Sequence, residues 1–262
     1  IGDFMDGGAY DKVALEPMGT DAASRAAIFR HAHTCLMRRL ERDPADPPPS
    51  PDLTGESFRE VLTLHMLALA YCEGETTDSL PDETAVLDWV LRRERRIWTR
   101  AIKDHELPSS LKHEPMAAAA AYLTLAADPA EGIACAGDAK TLLRDCPELH
   151  GVSGPDLTRL CQIFHELYPG RGEVDGLRPD LLAAWFLAQV PHAILDHAFG
   201  TNGSRPETLA VNGLTKLTWG AQRWPNTGAP RVKRALAANP PGMLAAAVTV
   251  GVATGDPVGR VA

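Results

Sequence analysis

The densest run of chemically able side chains is Arg92-Arg93-Glu94-Arg95-Arg96, with Arg100 a turn further on. Guanidinium groups so placed can hold the phosphate oxygens of a nucleotide or of a nucleic-acid backbone. The plainer reading is a solvated helix face, with Glu94 as a local partner and arginine stems lying on Trp89 and Trp98. The histidines suggest no metal centre. His31 and His33 are two residues apart, on nearly opposite faces of a helix, and His192 and His197 are five apart and share no face well. The five cysteines (Cys35, Cys72, Cys135, Cys146 and Cys161) are scattered without a CxxC pair, which reads as reduced, semi-buried thiols of a cytoplasmic protein. No HExxH or Cys/His set at zinc spacing occurs, and no GxSxG nucleophile elbow. A phosphate-cradling P-loop needs Gly-x-x-x-x-Gly-Lys-Ser/Thr, and Gly170-Arg171-Gly172 lacks the rest of it. Asp and Glu are abundant, yet no pair reads as an acid/base couple.

The elements that must position these residues are expected to be helices. Hydrophobic residues make up 45% of the 262, aromatics only 6%, and alanine and leucine dominate. A formal net charge of -8 argues against a nucleic-acid surface spread over the whole chain. No run of about 18 apolar residues suggests a membrane span, and nothing resembles a signal peptide. The chain begins at Ile1 and not at Met, which suggests a piece of a longer protein.

Residues 12–18 alternate and then break at Pro17, which predicts a short strand. A helix is expected from Thr20 and Asp21 to about Arg42. The prolines of 43–51 read as a solvated loop, with an extended recognition segment as the other reading. A helix capped by Thr54 is predicted over 54–71, and another from 80 to about 104. The shift in composition at 106–115 marks a boundary. Helices follow at 116–127, 138–146 and 155–168, then a turn at 169–172. A small hairpin is expected at 173–177 with the stretch before it, and then a helix over 179–190 with Pro179 in its first turn. Three helices, a short wing and a helix match a winged-helix order. Pieces at 206–224, 230–239 and 241–254, separated by Pro and Gly, read as the start of a helical-repeat array. The predicted fold class is mainly α. Residues 1–19 would be the end of a nucleotide-binding domain or a linker, 20–105 a helical domain, 106–200 a winged-helix-like domain and 201–262 the repeat-like segment.

The order of these pieces resembles the second half of the nucleotide-binding module of STAND ATPases, the NB-ARC and NACHT-type switch proteins. It is most similar to large bacterial members common in actinobacteria, where a segment like Arg178-Pro179-Asp180-Leu181-Leu182 precedes helical repeats. The likeness runs from about Asp11 to Val190. It implies that an upstream P-loop domain of a parent ATPase holds ADP or ATP with Mg, that a helical domain and a winged helix close over the nucleotide, and that this chain by itself is catalytically silent. Where the family carries Gly-x-Pro-Leu near the adenine, this chain reads Arg59-Glu60-Val61-Leu62, which leaves Leu62 as the implied contact without the proline. Where the family carries Met-His-Asp-Leu, with its histidine on the ADP phosphate, this chain reads Arg178-Pro179-Asp180-Leu181. Arg178 can supply the phosphate contact instead, since a guanidinium suits phosphate oxygens. It can equally fix the wing to the next helix. Asp180 is expected to brace the first turn of that helix.

The resemblance implies a regulatory segment that closes over ADP or ATP and couples a sensor region to oligomerisation. Its implied partners are the upstream P-loop domain and proteins bound through the helical repeats. A winged-helix transcriptional regulator is the second possibility, but its reading helix would be 155–168, where Arg159 is the only Lys or Arg against Asp156 and Glu166. A helical scaffold for protein–protein interaction is the third.

Overall fold

In the computed structural model the described residues are 21–43, 51–128, 130–200 and 207–254. The strand expected at 12–18 and most of the proline-rich segment lie outside them. The described residues form a mainly helical fold of eleven α-helices. The chain divides into two compact units between Val90 and Leu91.

The first unit holds α1 (Ala22–Arg39), α2 (Val61–Cys72) and the beginning of α3 (Glu83–Asp104). Asp21 starts α1 by accepting from the Ser24 amide at 2.8 Å. α1 packs along α2, where Phe29 meets Tyr71 edge to face at 5.3 Å between centroids. Arg25 is buried, and its Nη1 donates to the carbonyls of Leu53 and Gly55, both at 2.8 Å. A charged side chain is tolerated there because backbone acceptors replace its water. The helix expected from Thr54 begins later, at Val61, after a one-turn 3₁₀ helix at Glu56–Phe58. Thr54 is not the cap, for the 3₁₀ helix starts from Gly55 without a side-chain cap, and the Thr54 amide and hydroxyl both donate to Asp52 Oδ1, at 3.0 and 2.6 Å. Asp82 accepts from the Ala85 amide at 2.9 Å and so caps α3.

Each of the first three helices ends in a Schellman motif. The amides of Arg42, Glu75 and Leu107 reach back to the carbonyls of Met37, Ala70 and Ile102, at 2.9, 3.1 and 2.9 Å. The left-handed residues are Glu41 (φ 55), Gly74 (φ 99) and Glu106 (φ 54). Only Gly74 has the residue type that adopts this conformation without steric cost.

The second unit is built around α4 (Glu114–Ala126), whose residues from Ala118 to Leu125 are all buried. A helix apolar all round belongs in an interior, and its alanines let neighbours approach closely. Around it are α5 (Ala136–Arg144), α6 (Gly154–Leu167), α7 (Asp180–Gln189), α8 (His192–Phe199) and α9 (Glu207–Arg223), and α10 (Pro225–Ala238) and α11 (Pro240–Thr254) then pack on α9. α8 was not foreseen. It fits eight residues between Pro191 and Gly200 and buries Ile194, Leu195, Ala198 and Phe199.

The expected hairpin at 173–177 does not form with the stretch before it. Val174 pairs antiparallel with Ile133, some forty residues earlier, through amide–carbonyl bonds of 2.8 and 3.2 Å. Gly172 makes this approach possible, since a Cβ there would lie 2.5 Å from the Ile133 carbonyl oxygen.

Candidate functional site

The segment from Asp175 to Asp180 is fastened to the C-terminal end of α4. Gly176 sits so close that a Cβ would be 2.4 Å from Thr124 Cα. The buried Thr124 hydroxyl oxygen accepts from the Leu177 amide at 2.9 Å. Asp175 is buried, with its side chain only 2% exposed. Its Oδ1 accepts from the Gly176 amide at 2.7 Å, while Oδ2 accepts from Arg178 Nε and Nη2 at 3.2 and 3.0 Å. Arg178 Nη1 donates to Asp180 Oδ1 at 3.0 Å, and Nη2 also reaches the Asp128 carbonyl at 3.3 Å.

A second set of donors comes from α9. Asn212 Nδ2 donates to the Ala126 carbonyl at 2.9 Å, and one turn later Lys216 Nζ donates to the Ala127 carbonyl. The carbonyls of Ala126 and Ala127 are among those that a helix end leaves without partners, and they carry the negative end of its dipole, while the Asp128 carbonyl just beyond also accepts from the Gly132 amide at 2.9 Å. An amide, an ammonium and a guanidinium satisfy them in turn.

Burial alone would lower the Arg178 pKa, but the bonds and charges of Asp175 and Asp180 outweigh it and leave that pKa raised. Lys216 is 3% exposed. Burial pushes its ammonium down to about 8, against the opposing pull of Asp180. Two cations are therefore gathered with the carboxylates of Asp175 and Asp180, and Asp128 also acts on Lys216. The two carboxylates differ in exposure, for the Asp180 side chain is 39% exposed against 2% for Asp175. Asp180 is thus the more accessible of the two partners of Arg178.

The structure thus brings Arg178 and Asp180 together, with Asp180 as the first residue of α7. Leu62 lies half-buried on α2, in the other compact unit. Sequence reasoning missed Asp175, Thr124, Asn212 and Lys216. Lys216 had a signal, as a lone charge between the apolar positions Leu214 and Leu217 with an amide side chain four residues before it.

Glu94 does not serve the arginine run alone. Its closest ion-pair contact with Arg93 is long, at 4.0 Å, whereas its Oε2 accepts from the Tyr168 hydroxyl at 2.6 Å. The same phenol accepts from Trp98 Nε1 at 2.6 Å. Burial raises the pKa of Tyr168, and the neighbouring Glu94 charge raises it further. Burial likewise raises Glu94 itself. This trio ties α3 to the end of α6.

Two clefts lie in the second unit. One of about 480 Å³ is bordered by Lys140, Thr158, Cys161, His165 and Glu173. The other, about 580 Å³, lies between α3, α4 and the α7–α8 junction. Among the described residues no cluster of three or more His, Cys, Asp or Glu side chains is arranged to hold a metal ion. No family model matches the chain, and no curated protein or solved structure matches it.

Proposed function

We propose that this chain is the regulatory segment of a STAND-type NTPase switch, acting on ADP or ATP held with Mg by the P-loop domain of a parent protein. One observation carries the reading. Arg178 stands at the start of α7 with one guanidinium edge fixed by buried Asp175 and the other on exposed Asp180. Such a side chain exchanges one carboxylate for a phosphate without leaving its mooring, so it can hold two states that differ in nucleotide. The amino end of α7 adds a positive dipole beside it. In this reading Arg178 senses phosphate, Asp180 is the partner it exchanges, and Leu62 is an adenine-side contact by resemblance alone. The work of the segment is to favour one nucleotide state and to pass that preference to a sensor region and to oligomerisation. It is proposed as a cytoplasmic, non-catalytic element with no nucleic-acid partner. Among the described residues no helix is long and apolar enough to cross a membrane.

A helical scaffold is the second reading, and α11 favours it. Leu244 and Val248 are one turn apart and remain 67% and 60% exposed, a stripe suited to a further helix or a protein partner.

The test is calorimetric titration with ADP of the P-loop domain, alone and with this chain. The expected result is tighter ADP binding in the pair, weakened about tenfold or more by Arg178→Ala and little changed by Asp180→Asn. Equal ADP affinity of the P-loop domain with and without this chain would sink the switch reading and put the scaffold first.

A further inference from the structure

The arginine run of α3 is not used by the nucleotide reading. From Leu91 to Asp104 the helix carries six cations (Arg92, Arg93, Arg95, Arg96, Arg100 and Lys103) against two acids, Glu94 and Asp104, within a chain of net charge -8. Glu94 is turned inward to Tyr168, so it does little for the outer face. Arg92, Arg95, Arg96, Arg100 and Lys103 are all exposed. Arg92, Arg96 and Arg100 follow one another at intervals of four, about 6 Å apart along the axis. Like charges at that spacing repel and weaken a helix. Asp88 and Asp104 bracket this row four residues before Arg92 and after Arg100, but no acid lies within it on the outer face.

The face borders the larger cleft. Arg95 and Thr99 form its α3 side, Trp98, Met116 and Ile194 give it an apolar floor, and His113 stands at the start of α4. Its volume of about 580 Å³ suits one or two large side chains. Glu114 and Glu148 stand among its lining residues on the α4 side, so the cleft itself repels an anion while the neighbouring helix face attracts one.

We propose that this surface docks an acidic protein segment, with carboxylates against Arg92 and Arg100 and one apolar side chain in the cleft beside Arg95. Charge complementarity selects this occupant. Guanidinium groups pair with carboxylates in a fixed geometry, and an acidic helix with Glu at every fourth position matches the arginine interval. A nucleic acid fits less well. The cationic face is only about 16 Å long from Arg92 to Lys103, and the rest of the chain is acidic. A polyphosphate strand also has no apolar group for a cleft that carries two glutamates. The inference is independent of nucleotide, and its test contains none.

The experiment is fluorescence anisotropy of the full chain with a labelled helical peptide of about 12 residues, bearing Glu at every fourth position and one Leu. Four comparisons are made: the same peptide with Leu replaced by Gly, its Lys counterpart, an oligodeoxythymidylate of similar length, and the doubly substituted protein Arg92→Glu/Arg100→Glu. Both substituted residues are exposed, and an unchanged melting curve verifies the fold. The Glu/Leu peptide is expected to bind at low salt and to weaken as salt rises to about 0.3 M. The double charge reversal and the Gly peptide should each lower affinity about tenfold, and the Lys peptide should not bind. Absence of binding by the Glu/Leu peptide, or equal binding to the charge-reversed protein, overturns the proposal. Tighter binding of the oligonucleotide overturns it too, by assigning the face to nucleic acid.

Discussion

Replacing Lys216 with Met keeps most of the side-chain volume and removes its charge. The wild-type ammonium titrates near 10.5 when exposed and near 8 when folded, with burial the main cause. Below pH 8 both states carry the proton, and the folded state bears the full cost of holding that charge away from water. Between about pH 8 and 10.5 the unfolded chain still binds the proton while the folded chain has released it, so stability attributable to this residue rises with pH. A displacement of this size corresponds to roughly 3 kcal/mol over the whole interval. At pH 7 the Met variant loses a charged hydrogen bond to Ala127, worth about 1.5–3 kcal/mol, and escapes a desolvation cost of similar size. Near neutrality the two proteins should therefore be close in stability. Urea unfolding of both at pH 7, 8, 9 and 10 isolates the effect, because other groups titrate in both proteins and cancel in the difference. Cys161 is one of these, since burial pushes its thiol up to about 11, so its contribution falls as pH rises above 9. The wild type minus Met difference should grow by roughly 2–3 kcal/mol from pH 8 to pH 10. A difference that stays flat or declines would refute the buried placement of Lys216 and its role at the end of α4.

Gly176→Ala forces a methyl to within 2.4 Å of the Thr124 backbone. It should cost about 1–3 kcal/mol as overpacking, read as a lower urea midpoint at unchanged slope, and an unaltered midpoint would mean the segment is not docked there. Glu106→Gly relieves a non-glycine residue at φ 54 at the end of α3. It should add about 0.5–1 kcal/mol, seen as a higher Tm, and a lower Tm would contradict the Schellman geometry.

The helices were largely legible because alanine and leucine recur at helical spacing, and because Asp21, Ser153 and Pro155 mark starts that the backbone uses. Local rules failed where a competing partner, local at Thr54 and tertiary at Val174, decided the outcome. Thr54 looked like a cap, yet Asp52, two residues before it, captured its amide and hydroxyl. The 173–177 stretch looked like half of a hairpin, but Val174 found Ile133 across a long interval of sequence. Nothing within a few residues of Val174 announces that partner, since the determining facts are the small size of Gly172 and Gly176 and the backbones they are pressed against. α8 escaped because eight residues are too few for a periodic pattern to stand out from its proline and glycine borders.

The Arg178 cluster shows the same division between what is local and what is not. Arg178 and Asp180 are two residues apart, and their pairing was readable as the bracing of a helix start. Asp175 is equally near in sequence, but its weight comes from burial, and burial comes from Gly170, where a Cβ would lie 2.3 Å from Asp175 Oδ2. Lys216 and Asn212 arrive from a helix more than thirty residues on. What makes the cluster a candidate switch is therefore not the arginine that sequence reasoning chose. It is the inequality of the two carboxylates beside it, one sealed and one open to solvent. If both were sealed, Arg178 would be a permanent brace. If both were open, a phosphate would pull the side chain free, and the 175–180 segment would lose part of its hold on α4. With one of each, the proposed phosphate binding is compatible with structural integrity, and in that reading the exchange at Asp180 carries a difference between nucleotide states without unfolding the segment that reports it.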